Sequence, residues 1–376
     1  LCPMHQEPSG VWIMAYTTID DPSAHFQTKI YTGNGTDSTA YTFDGISSMQ
    51  PDLLWFKSRS IAEHHMWIDS TRGVSNKWLG SSDEGAEGAA TQGYIESFDS
   101  DGWTSKDGTS GSNPNKNNNQ NTVTYVTWGW KANGGTTETA VDESGDNPAN
   151  VRQTNATAGF SIITSTGTGG AGTIAHGLGA VPHWIISKGI SNDGGWVVYH
   201  QGNTSEPETD ALNLANATAT YDAATWWNDT APTSSVFTLG TTNDVNGDAR
   251  TYVHYVFTPI QGYSKFGSYT GNGDADGPFV YTGFKPAWTM IKRSDTSNDG
   301  WYIHDSTRSP FNQIDKAVKA NLTSAEGGEI IDYVSNGFKQ RIGANANFNA
   351  DGGTYIYMAF AEEPFVTSGG VPATAR

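Results

Sequence analysis

The chain has 376 residues and carries 21 Lys+Arg against 39 Asp+Glu, a formal net charge of −18. So acidic a surface offers no cationic field to phosphate or to anionic lipid, which argues against nucleic-acid binding and against electrostatic docking on membranes. No run approaches ~18 apolar residues, so no membrane insertion is expected, and the single Cys2 permits no internal disulfide.

Aromatic residues are abundant (13 Trp, 16 Tyr, 15 Phe) beside 44 Gly. Together with many Thr, Ser and Asn, that is the composition of short strands joined by turns. Helix-building runs of Ala, Leu, Glu and Lys are missing, and the predicted class is all-β.

In chain order, residues 1–25 read as an N-terminal segment without the basic flank and apolar run of a signal peptide. Met14 looks like the natural start within it, leaving 1–13 as additional material. A first β module follows over 26–135. It opens with Tyr31-Thr-Gly-Asn-Gly35, then has a proline-led strand, Pro51 to Lys57, and a Trp/Asp strand, His64 to Gly73. It closes with Thr124-Tyr-Val-Thr-Trp-Gly-Trp130, which has period two. Within it, Ser105 to Asn121 is a low-complexity polar loop, expected to be a mobile surface excursion.

Lys131 to Thr157 has few apolar residues larger than Ala and reads as a linker, placed at 136–157. A second module over 158–260 repeats the order with Val181 to Lys188, Trp196 to His200 and Thr251 to Phe257. A third over 261–366 repeats it with Tyr269-Thr-Gly-Asn-Gly273, Lys285 to Lys292, Trp301 to Arg308 and Thr354 to Phe360. A tail, 367–376, remains. Repetition of the same landmarks in the same order predicts three tandem modules. Each is expected to be a β-sandwich of jelly-roll or lectin type with its own core, a small closed barrel being the second choice. The short join at Pro259 to Tyr263 predicts closer packing of modules two and three than of one and two.

Copies one and three share Asp-Ser-Thr-Arg, at Asp69 to Arg72 and Asp305 to Arg308, and carry Glu87 and Glu326 further on. Such carboxylates could flank a glycosidic bond, a geometry that needs ~5–9.5 Å between them. Copy two has His200 and Thr218 instead, which favours a structural role, for example Asp69 and Arg72 capping a turn. Asp69, Arg72, Asp305 and Arg308 therefore stand as candidate ligand-binding residues, and no catalytic residue is assigned. Trp226 and Trp227, in a loop-like stretch, are candidates for stacking on a sugar face. No EF-hand or paired-histidine spacing occurs, so no metal and no cofactor is expected.

From Met14-Ala-Tyr-Thr-Thr-Ile-Asp-Asp-Pro-Ser-Ala24 onward the sequence resembles a widespread family of phage proteins from viruses of marine bacteria, cyanobacterial hosts among them. The likeness runs through Phe98 to Trp103, Ser234 to Gly240, Tyr263 to Gly273 and the tail Val371 to Arg376. It implies a virion structural protein, a tail-fibre or receptor-binding adhesin that touches host surface glycan. Other virion proteins and further copies of the chain would be its partners, and it would be located in the particle. The alternatives are a capsid decoration or other architectural protein without ligand and, less favoured, a polysaccharide depolymerase.

Overall fold

The computed structural model describes residues 4–6, 12–74, 77–139, 145–222 and 224–374. Of the segment 1–13 read as additional, residues 1–3 and 7–11 thus lie outside the described residues. Among the described residues, helix is confined to Ala224–Trp227 and two 3-10 turns; the rest is strand and loop.

Three four-stranded antiparallel arrays share one strand order. In copy one the strands are β1 (Phe26–Thr32), β2 (Leu53–Ser58), β3 (Met66–Asp69) and β4 (Thr124–Trp130), arranged β1-β4-β2-β3. An added strand, β5 (Ala149–Asn155), precedes copy two, whose β6 (Phe160–Thr166), β7 (Trp184–Gly189), β8 (Trp196–His200) and β9 (Thr251–Phe257) run β6-β9-β7-β8. Copy three places β10 (Ser264–Thr270), β11 (Phe284–Arg293), β12 (Trp301–Asp305) and β13 (Thr354–Pro364) in the order β10-β13-β11-β12. Registers correspond: Trp130 lies between Phe26 and Leu53, Phe257 between Phe160 and Trp184, and Phe360 between Ser264 and Trp288.

The expectation of three beads with separate cores is corrected by the packing. One face of every array carries Val126, Trp128 and Trp130, or Val253, Tyr255 and Phe257, or Ile356, Met358 and Phe360. These faces meet in a single apolar cluster together with Trp55, Trp184 and Trp288. The opposite faces build three separate outer clusters, around Phe56 and Trp103, around Val197 and Phe237, and around Tyr302 and Phe338. The cause lies in the strands themselves. They are large and apolar on both faces, so each array needs cover on both sides. The further strands cover the outer faces: small sheets of three and two strands in copy one, one of two strands in copy two, and a continuation of the main sheet to eight strands in copy three. The inner faces can therefore be covered only by one another.

The predicted linker is likewise part of the fold. β5 pairs with β6 along its whole length, and Gln153 Nε2 donates to Ser70 Oγ and Thr71 Oγ1 of copy one, both at 2.8 Å. The buried Asp52 carboxylate accepts from the backbone N–H groups of Ala132, Gly134 and Gly135 at 2.7–2.9 Å. Copies one and two are thus joined through the segment read as a linker. Residues 140–144 of the predicted linker lie outside the described residues.

The polar stretch ending at Asn121 is also ordered. Tyr125 Oη donates to Lys116 O at 2.8 Å and accepts from Gln120 N at 2.9 Å. The same clamp recurs at Tyr252, with Asn243 O and Gly247 N, and at Tyr355, with Ala346 O and Ala350 N. Asn119, Asn246 and Asn349, each almost fully buried, accept from the backbone N–H of Asn34, Thr168 and Asn272. Gly33, Gly167 and Gly271 let these loops close, since a Cβ would lie 2.2–2.3 Å from a loop carbonyl oxygen. The asparagines replace a missing apolar content with hydrogen bonds, which composition alone does not disclose. Each Tyr→Phe change at positions 125, 252 and 355 is expected to cost about 1–3 kcal/mol, because a buried N–H and C=O lose their partner; thermal melts of the three single variants check this.

Candidate functional site

Asp69 and Asp305 end β3 and β12 at equivalent places and are fully buried. Each carboxylate caps the turn after its strand: Arg72 N donates to Asp69 Oδ1 at 2.9 Å, and Arg308 N to Asp305 Oδ1 at 2.7 Å. Each also holds its arginine, Nε to Oδ2, at 2.5 Å. The guanidinium goes on to Glu87 (2.6 Å) in copy one and to Glu326 (3.2 Å) in copy three. It also donates to the carbonyl of Trp67 or Ile303. Burial works against the charge on Arg72, but Asp69 and Glu87 hold it firmly protonated.

The turn-capping reading thus holds, and Asp69, Asp305 and Arg308 are too deeply buried to meet a ligand, being spent on the seams between copies, whereas Arg72 also borders an open cleft. Tyr255 Oη of copy two donates to Asp69 of copy one at 2.8 Å. Trp128 Nε1 of copy one donates to Asp305 of copy three at 3.1 Å, and the Arg308 guanidinium lies over the same indole. Copy two offers its equivalent, His200, to copy three, where the matching inner-face residue is Met358. A methionine has no proton to give a carboxylate. His200 instead accepts from Gly202 N through Nδ1, at 2.9 Å, and donates from Nε2 to Tyr357 O, at 3.4 Å. The absence of Asp from copy two follows from what the next copy presents.

The seams close cyclically. Glu87 N bonds Ile190 O, Thr220 N bonds Ser294 O, and Glu326 N bonds Arg59 O, at 2.8–2.9 Å, linking copy one to two, two to three and three to one. Trp196 Nε1 donates to Asp83 O, Trp301 Nε1 to Asn213 O and His65 Nε2 to Lys319 O in the same rotation. Lys57, Lys188 and Lys292, one per copy, are buried with Nζ on backbone carbonyl oxygens, and burial lowers each to about 8.

Trp226 and Trp227 are corrected as well. They sit on the single α-turn with 9% and 1% exposure, inside the outer core of copy two. Trp227 Nε1 donates to Asp210 O, and Trp226 packs edge-on against Tyr221. Both residues are buried. The four-residue turn folds them inward because Phe237, Leu239 and Tyr199 otherwise lack cover.

What sequence reasoning missed is an open cleft over the seam of copies one and two, about 490 Å³, lined by Thr71, Arg72, Glu87, Thr139, Thr166 and Thr251 among others. Its hydroxyl-rich wall comes from β6 and from the turn after β3. The Asp-Ser-Thr-Arg string marks one side of it; the other depends on how the copies dock. Among the described residues no group of three or more His, Cys, Asp or Glu is placed to hold a metal ion.

Fold and seams together define an all-β protein in which three copies of one strand order close into a ring. Residues 21–364 match the family described as a domain of unknown function, DUF7483, and the chain belongs to that family. No curated protein matches it.

Proposed function

We propose that the chain is a virion attachment protein whose ring of three copies presents an open cleft of mixed polar and apolar lining to host surface glycan. The observation that carries this reading is the cleft over the seam of copies one and two. Thr71, Thr139, Thr166 and Thr251 line it beside the Arg72–Glu87 pair and the apolar Ala149, Val151 and Ile190, the mixture of hydrogen-bonding and apolar groups that a sugar requires. The resemblance to phage virion proteins supports the same assignment. An architectural virion role without ligand is the second reading. It is favoured by one specific fact: Asp69, Asp305 and Arg308 are consumed in holding the ring together. The depolymerase reading gains no support from these carboxylates, because each already binds an arginine.

Purified protein is expected to adsorb saturably to marine bacterial cells and to be competed by their extracted surface polysaccharide. Thr166→Trp, which fills the cleft from its exposed wall, is expected to reduce that adsorption at least tenfold. Flat signal on every cell surface and glycan would move the assignment to the architectural role.

A further inference from the structure

The three seams differ at the outer edge of the first strand of each copy. In copy two, Thr258 N bonds Gly159 O and Gly167 N bonds Arg250 O, so odd-numbered positions of β6 face β9. Phe160, Ile162, Thr164 and Thr166 therefore turn their N–H and C=O outward, where β5 pairs with them. In copy one, Lys131 N bonds His25 O and Gly33 N bonds Val123 O. By the same alternation Phe26, Thr28, Ile30 and Thr32 point outward, but among the described residues β1 is the last strand of its sheet. At the third seam β10 is also a terminal strand, but Gly202 brings the turn after β8 against it, so that a Cβ there would lie 3.3 Å from Ser268 Oγ.

β5 also fixes what its position demands. Gln153, opposite Ile162, reaches across the seam to the hydroxyls of Ser70 and Thr71. Across the seam from β1, the corresponding residues of copy three are Ser306 and Thr307. They line a cleft of about 310 Å³ with Phe26, Thr28, Ala287 and Pro310. The cleft thus lies where β5 would lie if copy one had such a strand. Thr28 Oγ1 is buried there without a hydrogen-bond partner. The residues next to two of its walls, Ile46 and Phe311, are 94% and 78% exposed.

We propose that this groove receives an extended segment of a partner protein, which adds to β1 as an antiparallel strand. Free strand edges template such addition, and the residues of β5 that share the face of Gln153 indicate the chemistry that fits: Ala149, Val151, Gln153 and Asn155, small or apolar first and carboxamide afterwards. The amide of the incoming strand takes the hydroxyls of Ser306 and Thr307, and apolar contacts with Ile46 and Phe311 extend the interface. This site is separate from the glycan cleft and does not depend on that assignment.

The test uses the full chain and, as probe, a labelled synthetic peptide of residues 147–157. Saturable binding is expected, with slowed amide exchange at Thr28 and Ile30. Thr28→Pro removes one outward N–H at an edge position where proline is tolerated, and it is expected to weaken binding at least tenfold. Thr307→Trp, which fills the groove from its exposed side and leaves β1 untouched, is expected to do the same. No saturable binding up to about 1 mM peptide, a range in which even weak strand addition registers, overturns the proposal. So does binding that both variants leave unchanged. A chain that is dimeric and becomes monomeric with Thr28→Pro overturns it in favour of a second copy as occupant.

Discussion

Lowering the pH from about 7.5 to about 5 is expected to remove about 6 kcal/mol of folding free energy, through three buried imidazoles. Burial pushes His200, His254 and His304 down to about 3. Their folded values lie below the unfolded one, so the unfolded chain binds more protons between pH 3 and 6.5, and stability falls as pH falls through that window. At pH 5 each contributes about 2 kcal/mol of the loss, against a total stability of about 5–15 kcal/mol for a typical domain. Among the described residues no carboxylate lies near enough to offset burial at any of the three. Nδ1 of His200 already accepts from Gly202 N, and His254 is enclosed between Ser165 Oγ and Ser187 Oγ at 2.9 and 2.8 Å. His304 has only a backbone oxygen, Glu329 O, within reach. His65, also held well below its ordinary value by burial and by Lys57, accepts from Trp55 Nε1 through Nδ1 at 2.7 Å and adds in the same direction. Urea unfolding followed across this pH range should show an uptake of about three protons or more, and His304→Gln should remove about one of them. An unfolding midpoint that is the same at both ends of the range would refute the account.

The histidines also show how far the sequence alone carries. The order of landmarks along the chain announces the triplication, and the three inner-face sets beginning at Val126, Val253 and Ile356 are readable from period two alone. The shared core was available in the same strands: Tyr125, Tyr252 and Tyr355 on the opposite face are as large as the inner residues, and all three are fully buried. A strand apolar on both faces is not the edge of an isolated sandwich. Which face meets another copy depends on docking, and docking leaves no periodic signal. For that reason Asp69 and Asp305 looked like surface chemistry, whereas their partners are Tyr255 and Trp128, 186 and 177 residues away. Trp226 and Trp227 were misplaced for a related reason. Their polar neighbours suggest a loop, but one short α-turn suffices to point both rings inward. The asparagines near residue 118 escaped because hydrogen bonding, not hydrophobicity, buries them.

Removing one member of a seam cluster should be far more damaging than its distance from any surface cleft suggests. Arg308→Met is expected to destabilise the protein by about 3–5 kcal/mol, the usual cost of leaving a buried charge without its partner. The guanidinium is fully buried and serves Asp305, Glu326 and Ile303 O at once, so three acceptors lose their donor together. Arg308→Lys should recover little, because one ammonium cannot span the same fork. Adding Asp305→Asn to Arg308→Met should recover part of the loss, since the orphaned carboxylate is then neutral, although Trp128 Nε1 keeps an acceptor. Arg72→Met in copy one should cost less, about 2–3 kcal/mol, because that arginine borders the open cleft and water can reach the carboxylates it leaves behind. Glu326 is also bound by Arg59 at 2.9 Å, so the third-to-first seam is expected to loosen rather than separate. Equilibrium denaturation of the four variants orders these effects. If Arg308→Met proved as stable as the parent chain, the clusters would not be what holds the copies in a ring.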